Sequence, residues 1–135
     1  MAGKLRLEVA APDRQLLDED VDEVQAPAAD GYLGVLPGHA PLLTQLGSGV
    51  LSFKQSSGER YIAIHEGIME VLPDRVRVLT TSAAWANEVD VERAREALAR
   101  ATETLTRQKR DNNIEQAQAA VAQARAQLEA YERGR

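Results

Sequence analysis

The first half of the chain alternates hydrophobic and polar residues with a period of two. Leu5, Leu7 and Val9 fall on one face of the first run, and similar runs lie at 61–65 and 75–78. Such alternation is typical of strands that bury one face. Turn residues separate the runs at 29–31, 56–58 and 73–74. The spacing predicts a β-sandwich, a flattened barrel of short antiparallel strands.

From Asp90 onward, hydrophobic residues recur every three or four positions, which predicts helices. Asp90 has a typical N-cap side chain, and the run that follows is rich in alanine. Because the connection at 111–113 is short, we expect two antiparallel helices. The predicted contact positions are Ala94, Leu98, Ala101 and Leu105 on the first helix, and Ile114, Ala117, Val121, Ala124, Leu128 and Tyr131 on the second.

The composition changes near Asn87, since all five prolines and eight of the nine glycines precede it. The predicted class is therefore α+β, with an N-terminal β-sandwich over 1–87 and a C-terminal antiparallel two-helix hairpin over 88–135. Small contact residues bury little area, at roughly 25 cal/mol per Å². Two interpretations stay open, a stable hairpin and a hairpin that opens when another surface competes for its contacts.

Composition excludes several classes of protein. The net charge of −5 argues against a nucleic-acid binder. Cysteine is absent, so no disulfide or thiolate metal site can form. No apolar run approaches the roughly 20 residues of a membrane span, and the N-terminus lacks the apolar core of a signal peptide. We expect a soluble intracellular protein that reaches a membrane only through a partner.

Catalytic and metal-binding motifs are not apparent. The segment 47–54 has the wrong spacing for a phosphate-binding loop and alternates like a strand. The histidines, His39 and His65, are far apart, and the acidic run 18–23 lacks the EF-hand spacing. We expect no catalytic residue and no metal site, and therefore not an enzyme.

The most informative segment is 31–44, with the sequence GYLGVLPGHAPLLT. Its dipeptide Pro37-Gly38 predicts a turn with a positive φ at the glycine. The whole segment resembles the G-x-L-G-[IV]-x-P-G-H-A-P-L-L-T signature of the ATP synthase epsilon subunit family of bacteria and chloroplasts. The segment 7–12 is similar to the family's first strand, and 66–71 to its G-G-[IF]-x-E-V strand, with Glu66 at a usual glycine. The segment 89–94 resembles its [IL]-D-x-x-R-A motif. The resemblance covers nearly the whole chain, in order.

This resemblance implies a non-catalytic rotor subunit of the central stalk. The sandwich would bind the gamma subunit and the c-ring, coupling them during proton-driven ATP synthesis. The hairpin would either fold beside the sandwich or extend along gamma toward the catalytic alpha and beta subunits, where it inhibits ATP hydrolysis. The implied location is peripheral, on the cytoplasmic face of the plasma membrane. By resemblance, the residues that contact the c-ring and gamma are Gly31, Tyr32, Leu33, Pro37, Gly38 and His39.

Some relatives bind ATP on the folded hairpin, so a weak regulatory ATP is the one cofactor that the resemblance leaves open. The candidate residues are Asp90, Arg93, Arg100 and Arg125. ATP-binding relatives carry an acidic residue where Ala84 aligns and a second arginine on the second helix. We therefore predict weak or absent binding, and an N-cap role for Asp90 is the simpler interpretation.

Charge is divided unevenly between the halves. The segment 90–135 has a net charge of +1, and the first 89 residues carry −6. The cations Arg107, Lys109 and Arg110 cluster at the predicted hairpin turn. The family resemblance implies that an extended hairpin meets an acidic part of beta, and we expect these cations to contact it there. They also complement the negative end of a helix dipole. Two other functions stay open, a nucleotide sensor and an adaptor that uses the hairpin as a binding module.

Overall fold

The computed structural model describes residues 3–107 and 114–135, in which seven strands precede two helices. A short 3₁₀ turn, Ala86–Glu88, connects the strands to the helices. The strands are β1 Leu5–Ala11, β2 Arg14–Val21, β3 Glu23–Ala28, β4 Gly31–Val35, β5 Leu42–Gln55, β6 Gly58–Leu72 and β7 Arg75–Trp85, and the helices are α1 Val91–Arg107 and α2 Ile114–Arg133.

The strands form one sheet in the order β2-β1-β7-β6-β5-β3-β4, which folds over on itself into a sandwich. The predicted fold is confirmed, but two details differ. The neighbouring strands β1 and β7 come from the first and last parts of the sandwich sequence and pair in parallel, since no hairpin connects them. The strands β5, β6 and β7 have 14, 15 and 11 residues, because each continues through the bend of the sheet.

The bend in β6 lies at Glu66 and Gly67. Glu66 has a left-handed φ of 57°, which is unusual outside glycine. A Cβ atom on Gly67 would lie 2.2 Å from the carbonyl oxygen of Leu79, so this close approach requires glycine. The hydroxyl of Thr80 donates to the carbonyl oxygen of Glu66 at 2.6 Å. These contacts hold the turned backbone and allow β6 to pass between the layers.

The main core lies between the two layers. Leu5, Leu7 and Val9 are fully buried, and so are Val76 and Val78, as the alternation predicted. Other buried members are Leu17, Val21, Val24, Ala26, Val35, Leu46, Leu51, Phe53, Ile62, Ile64, Met69 and Val71. The sandwich therefore has its own hydrophobic core, separate from the helices.

The hairpin lies folded against the sandwich. Helix α2 packs on β5 and β6, and α1 packs on α2. The predicted contact positions that are buried, each with at most 9% of its surface exposed, are Ala94, Ala101, Ala117, Val121 and Ala124. A second face of α2 carries Ala126 and Ala130, which contact Val50 and Ala63 of the sheet. The prediction did not include this second face.

Candidate functional site

The segment 31–39, called here the β4 segment, comprises an edge strand and the turn that follows it. Gly38 has a φ of 88°, which confirms the predicted turn with a positive φ. Its N–H donates to the carbonyl oxygen of Pro73 at 2.7 Å, so the turn is fixed beside the β6–β7 connection. Of the six candidate contact residues, Gly31, Tyr32 and Gly38 are exposed, and Leu33, Pro37 and His39 are half-buried.

An exposed apolar patch lies on the neighbouring strands β5, β6 and β7. It consists of Leu43, Ile68 and Leu79, which are 70%, 49% and 53% exposed. Ile68 lies directly opposite Leu79 across β6 and β7, and Leu43 lies diagonally from Ile68 on the same face. Neighbouring exposed apolar residues in a row of strands are typical of a protein-binding surface.

The sequence contained a signal for this patch. Ile68 is followed by Met69, and Leu79 is preceded by Val78. Met69 and Val78 are fully buried. Because neighbouring residues of a strand point to opposite faces, a buried residue forces its neighbour outward. The interruption of the alternation could therefore have identified Ile68 and Leu79.

The contact between the hairpin and the sheet is small. Val50 and Ala63, with Tyr61 and Ala86 at their margin, form what we call the hairpin seat. The methyl groups of Ala126 and Ala130 occupy it. At the end of α2, the guanidinium of Arg133 lies over the ring of Tyr61 at 4.8 Å. Gly134 packs so closely that a Cβ atom would lie 2.5 Å from that of Ala86.

An ion pair anchors the 3₁₀ turn to the sandwich. Arg14 donates to both carboxylate oxygens of Glu88, at 2.8 and 2.6 Å. Glu88 also accepts the backbone N–H of Trp85 at 2.9 Å. The bond from Arg14 lowers the pKa of Glu88 to about 2, against the opposing effect of partial burial. These contacts hold the chain to the sandwich as far as Glu88, just before α1.

A cleft of about 400 Å³ lies between α1, α2 and the end of the sheet. Asp90 and Arg93 line it, and the carboxylate of Asp90 accepts the N–H of Arg93 at 3.1 Å. Asp90 is therefore an N-cap, as expected. The other two candidate ATP ligands do not join them, because Arg100 lies 3.9 Å from Glu96 and Arg125 is exposed outside the cleft lining.

Of the candidate inhibitory cations, Arg107 is the last residue of α1. The guanidinium of Arg107 is 2.8 Å from the carboxylate of Glu103, one turn earlier on α1. Lys109 and Arg110 lie outside the described residues, so their contacts stay a prediction.

The histidines lie in separate places. His39 is half-buried in the β4 segment, and its Nδ1 lies 2.7 Å from the carbonyl oxygen of Ala40. His65 is half-buried in β6, where its Nδ1 lies 2.5 Å from the hydroxyl of Ser48. Within 3–107 and 114–135 there is no group of three acidic or histidine side chains that could hold a metal ion. Across the same residues, no helix is both long and apolar enough to cross a membrane.

Two family models match this two-part architecture. The β-sandwich domain of the ATP synthase delta/epsilon chain matches residues 4–86, and the long α-helix domain of the same chain matches 87–132.

The chain belongs to the ATP synthase delta/epsilon family.

Curated relatives agree with this assignment. The ATP synthase epsilon chain of Solibacter usitatus is 55% identical over 100 residues, which are 74% of this chain and 75% of that one. The ATP synthase epsilon chain 2 of Syntrophotalea carbinolica is 42% identical over 135 residues, 99% of this chain and 98% of that one. The family predicted from the signature segment is confirmed.

Solved structures show the same fold. A chain of the Euglena gracilis mitochondrial ATP synthase, in a structure of OSCP, F1 and c-ring, aligns with a TM-score of 0.71 at 26% identity. The match covers 96% of this chain and 78% of that chain. As a member of the delta/epsilon family, this chain is a non-catalytic subunit of the central stalk of the membrane-associated rotary ATP synthase.

Proposed function

We propose that the sandwich couples gamma to the c-ring and that the hairpin regulates ATP hydrolysis. In this proposal the apolar patch binds gamma and the β4 segment rests on the c-ring, at the cytoplasmic face of the plasma membrane. The exposure of Leu43, Ile68 and Leu79 supports the first contact. Burial of a contiguous apolar surface by a partner removes it from water, which favours binding. The exposed turn at Gly38 and the edge strand support the second.

The small size of the hairpin seat is the main support for the proposed regulation of ATP hydrolysis. Only methyl groups of Ala126 and Ala130 enter the cluster with Val50 and Ala63. Each methyl group contributes about 0.8 kcal/mol. The surface of Val50 and Ala63 that they cover, the contact of Arg133 with Tyr61 and the long hydrogen bond from Gln123 to Ser82 add modestly to this. Docking of this strength separates two states by only a few kcal/mol, which is the range in which a partner can shift the population.

In this proposal, the sandwich and the hairpin are joined by a hinge after Glu88. The sandwich has its own core, and the Arg14–Glu88 pair keeps the 3₁₀ turn attached to it. Release of α2 would then leave the sandwich bound to its partners while the hairpin moves about a hinge after Glu88. In the extended state, Arg107, Lys109 and Arg110 would approach acidic surface on beta, and the attraction would weaken with salt.

A binding measurement tests the coupling role. The double substitution Ile68→Asp and Leu79→Asp should weaken binding of the full chain to purified gamma by at least about tenfold, because each carboxylate would lose water at the interface. The control Thr102→Asp places the same charge on exposed α1 and should bind as the parent chain does. Unchanged binding in the double variant, with its sandwich still folded, would refute the assignment of gamma to this patch.

A further inference from the structure

The pairing of β3 with β5 has a gap beneath the hairpin. Gln25 pairs with Ser52, and the next pair is Ala28 with Leu46. Three steps along β3 therefore correspond to six along β5, and residues 47–51 of β5 have no partner in β3. Pro27 lies in the gap and has no N–H of its own to donate. A buried backbone donor on this side of β5 needs another acceptor.

Tyr32 supplies that acceptor. It lies on β4, directly opposite Pro27, and its hydroxyl oxygen accepts the backbone N–H of Val50 at 3.0 Å. The side chain thus reaches past β3 to the second strand away. Gly49 makes room for it, since a Cβ atom there would lie 2.7 Å from both the hydroxyl of Tyr32 and the Cβ of Pro27.

The same stretch of β5 is part of the hairpin seat. Val50 is fully buried and clusters with Ala126 and Ala130 of α2. Tyr32 itself is 53% exposed and belongs to the β4 segment. One side chain therefore connects an exposed edge of the sandwich with the backbone on which α2 rests.

We propose that Tyr32 is a positioning residue that holds the hairpin seat in shape for α2. Its hydroxyl keeps the unpaired part of β5 in place, and loss of this bond frees the stretch around Val50 and loosens the docking of α2. One consequence rests on the proposed c-ring contact. A partner bound to the β4 segment would change the docking of α2 through Tyr32.

Amide hydrogen exchange in the full chain tests this role. Tyr32→Phe removes only the hydroxyl oxygen. Because an unsatisfied buried N–H is costly, we expect roughly tenfold faster exchange at the amide of Val50 and at those of Ala126 and Ala130. Gly49→Ala should give the same pattern by displacing the ring.

The control is Tyr131→Phe, which removes a hydroxyl from α2 itself. Tyr131 is half-buried on α2 and is not part of the cluster at the hairpin seat, so exchange at Val50 should not change. Unchanged exchange on α2 in Tyr32→Phe would overturn the proposal. Faster exchange at Val50 alone would overturn it too, because the bond would then be only local. An equal effect of Tyr131→Phe on α2 would likewise contradict a specific role for Tyr32.

The assembled complex separates this inference from the proposed function. Gly49→Ala changes no residue of the apolar patch or of the β4 segment, so binding to gamma should be unchanged, whereas looser docking should increase inhibition of ATP hydrolysis. Failure of the parent chain to bind gamma would refute the proposed function and leave the exchange result standing. Normal gamma binding with unaltered exchange would refute the role of Tyr32 alone.

Discussion

The ion pair between Arg14 and Glu88 shows how single residues fix the base of the hairpin. Two short bonds join them, and the backbone N–H of Trp85 adds a third to the same carboxylate. Both side chains are 39% exposed, so solvent screens their attraction. The bidentate geometry still makes the pair stronger than most surface ion pairs. The pair therefore ties the 3₁₀ turn to the sandwich.

The depressed pKa of Glu88 predicts a stability that depends on pH. Glu88→Gln should lower the free energy of unfolding at pH 7 by about 1 kcal/mol, discounted for exposure. A lowered carboxyl pKa contributes stability above the ordinary value of 4.5, which is lost as the pH falls toward about 2. Urea titrations should therefore show that the difference in the free energy of unfolding between variant and parent becomes smaller over that range. An equal difference at pH 7 and pH 2 would contradict this account, and Glu92→Gln, at an exposed ion pair, is the control.

The residues of the cleft predict weak nucleotide binding. The side of α2 that lines it presents Ala120, Gln123, Ala124 and Gln127, none of which is charged. Asp90 is engaged as an N-cap, so Arg93 is the one cation among the lining residues of the described chain. We expect isothermal titration calorimetry on the isolated chain to show no binding of ATP with a dissociation constant in the micromolar range. Micromolar binding that disappears in Arg93→Ala would prove this expectation wrong.

At the residue scale, local sequence patterns predicted some contacts and not others. The N-cap role of Asp90 depends on residues three apart, and the turn at Gly38 on a local dipeptide, so both could be predicted. Arg14 and Glu88 are 74 positions apart, and nothing local links them. The bond from Val50 to Tyr32 arises from a gap in strand pairing, which is visible only once the register is known.

At the scale of elements, α2 is the critical part, because it has two buried faces. One carries Ala117, Val121 and Ala124, which the periodicity predicted as contacts between helices. The other carries Ala126 and Ala130 against the sheet. Alanine favours a helix whether exposed or buried, so its presence alone did not reveal a second contact. The strands were easier to predict, because β-branched residues and leucine mark their buried faces.

A charge in the hairpin seat should undock α2 without unfolding the sandwich. Ala130→Asp would bury an unpaired carboxylate at a cost of about 3 kcal/mol or more, which exceeds the contribution of the two methyl groups. Amide exchange should become fast over 114–133 and stay slow in the main core. Gln118→Asp, at an exposed position on the same helix, should leave α2 protected. Continued protection in Ala130→Asp would show that the seat does not hold the hairpin.

At the scale of the whole molecule, two units with hydrophobic clusters of very different size share one chain. The sandwich has an extensive core, whereas the hairpin depends on small side chains and a few contacts at its ends. This asymmetry suits a subunit that remains attached through one part and moves the other. The family and the two-part fold were predictable because the signature segment and the change in composition are local. The side of the sandwich that α2 covers was not, because the seat consists of ordinary strand residues.

Restraint of ATP hydrolysis by the hairpin can be measured in the assembled ATP synthase. ATP hydrolysis would be compared between complexes with the full chain and with a chain ending at Val89, which retains Glu88 and its bond to Arg14. We predict that the shortened chain still assembles and supports ATP synthesis, and that hydrolysis rises several-fold. Equal rates of hydrolysis in two complexes with equal content of this subunit would contradict the account.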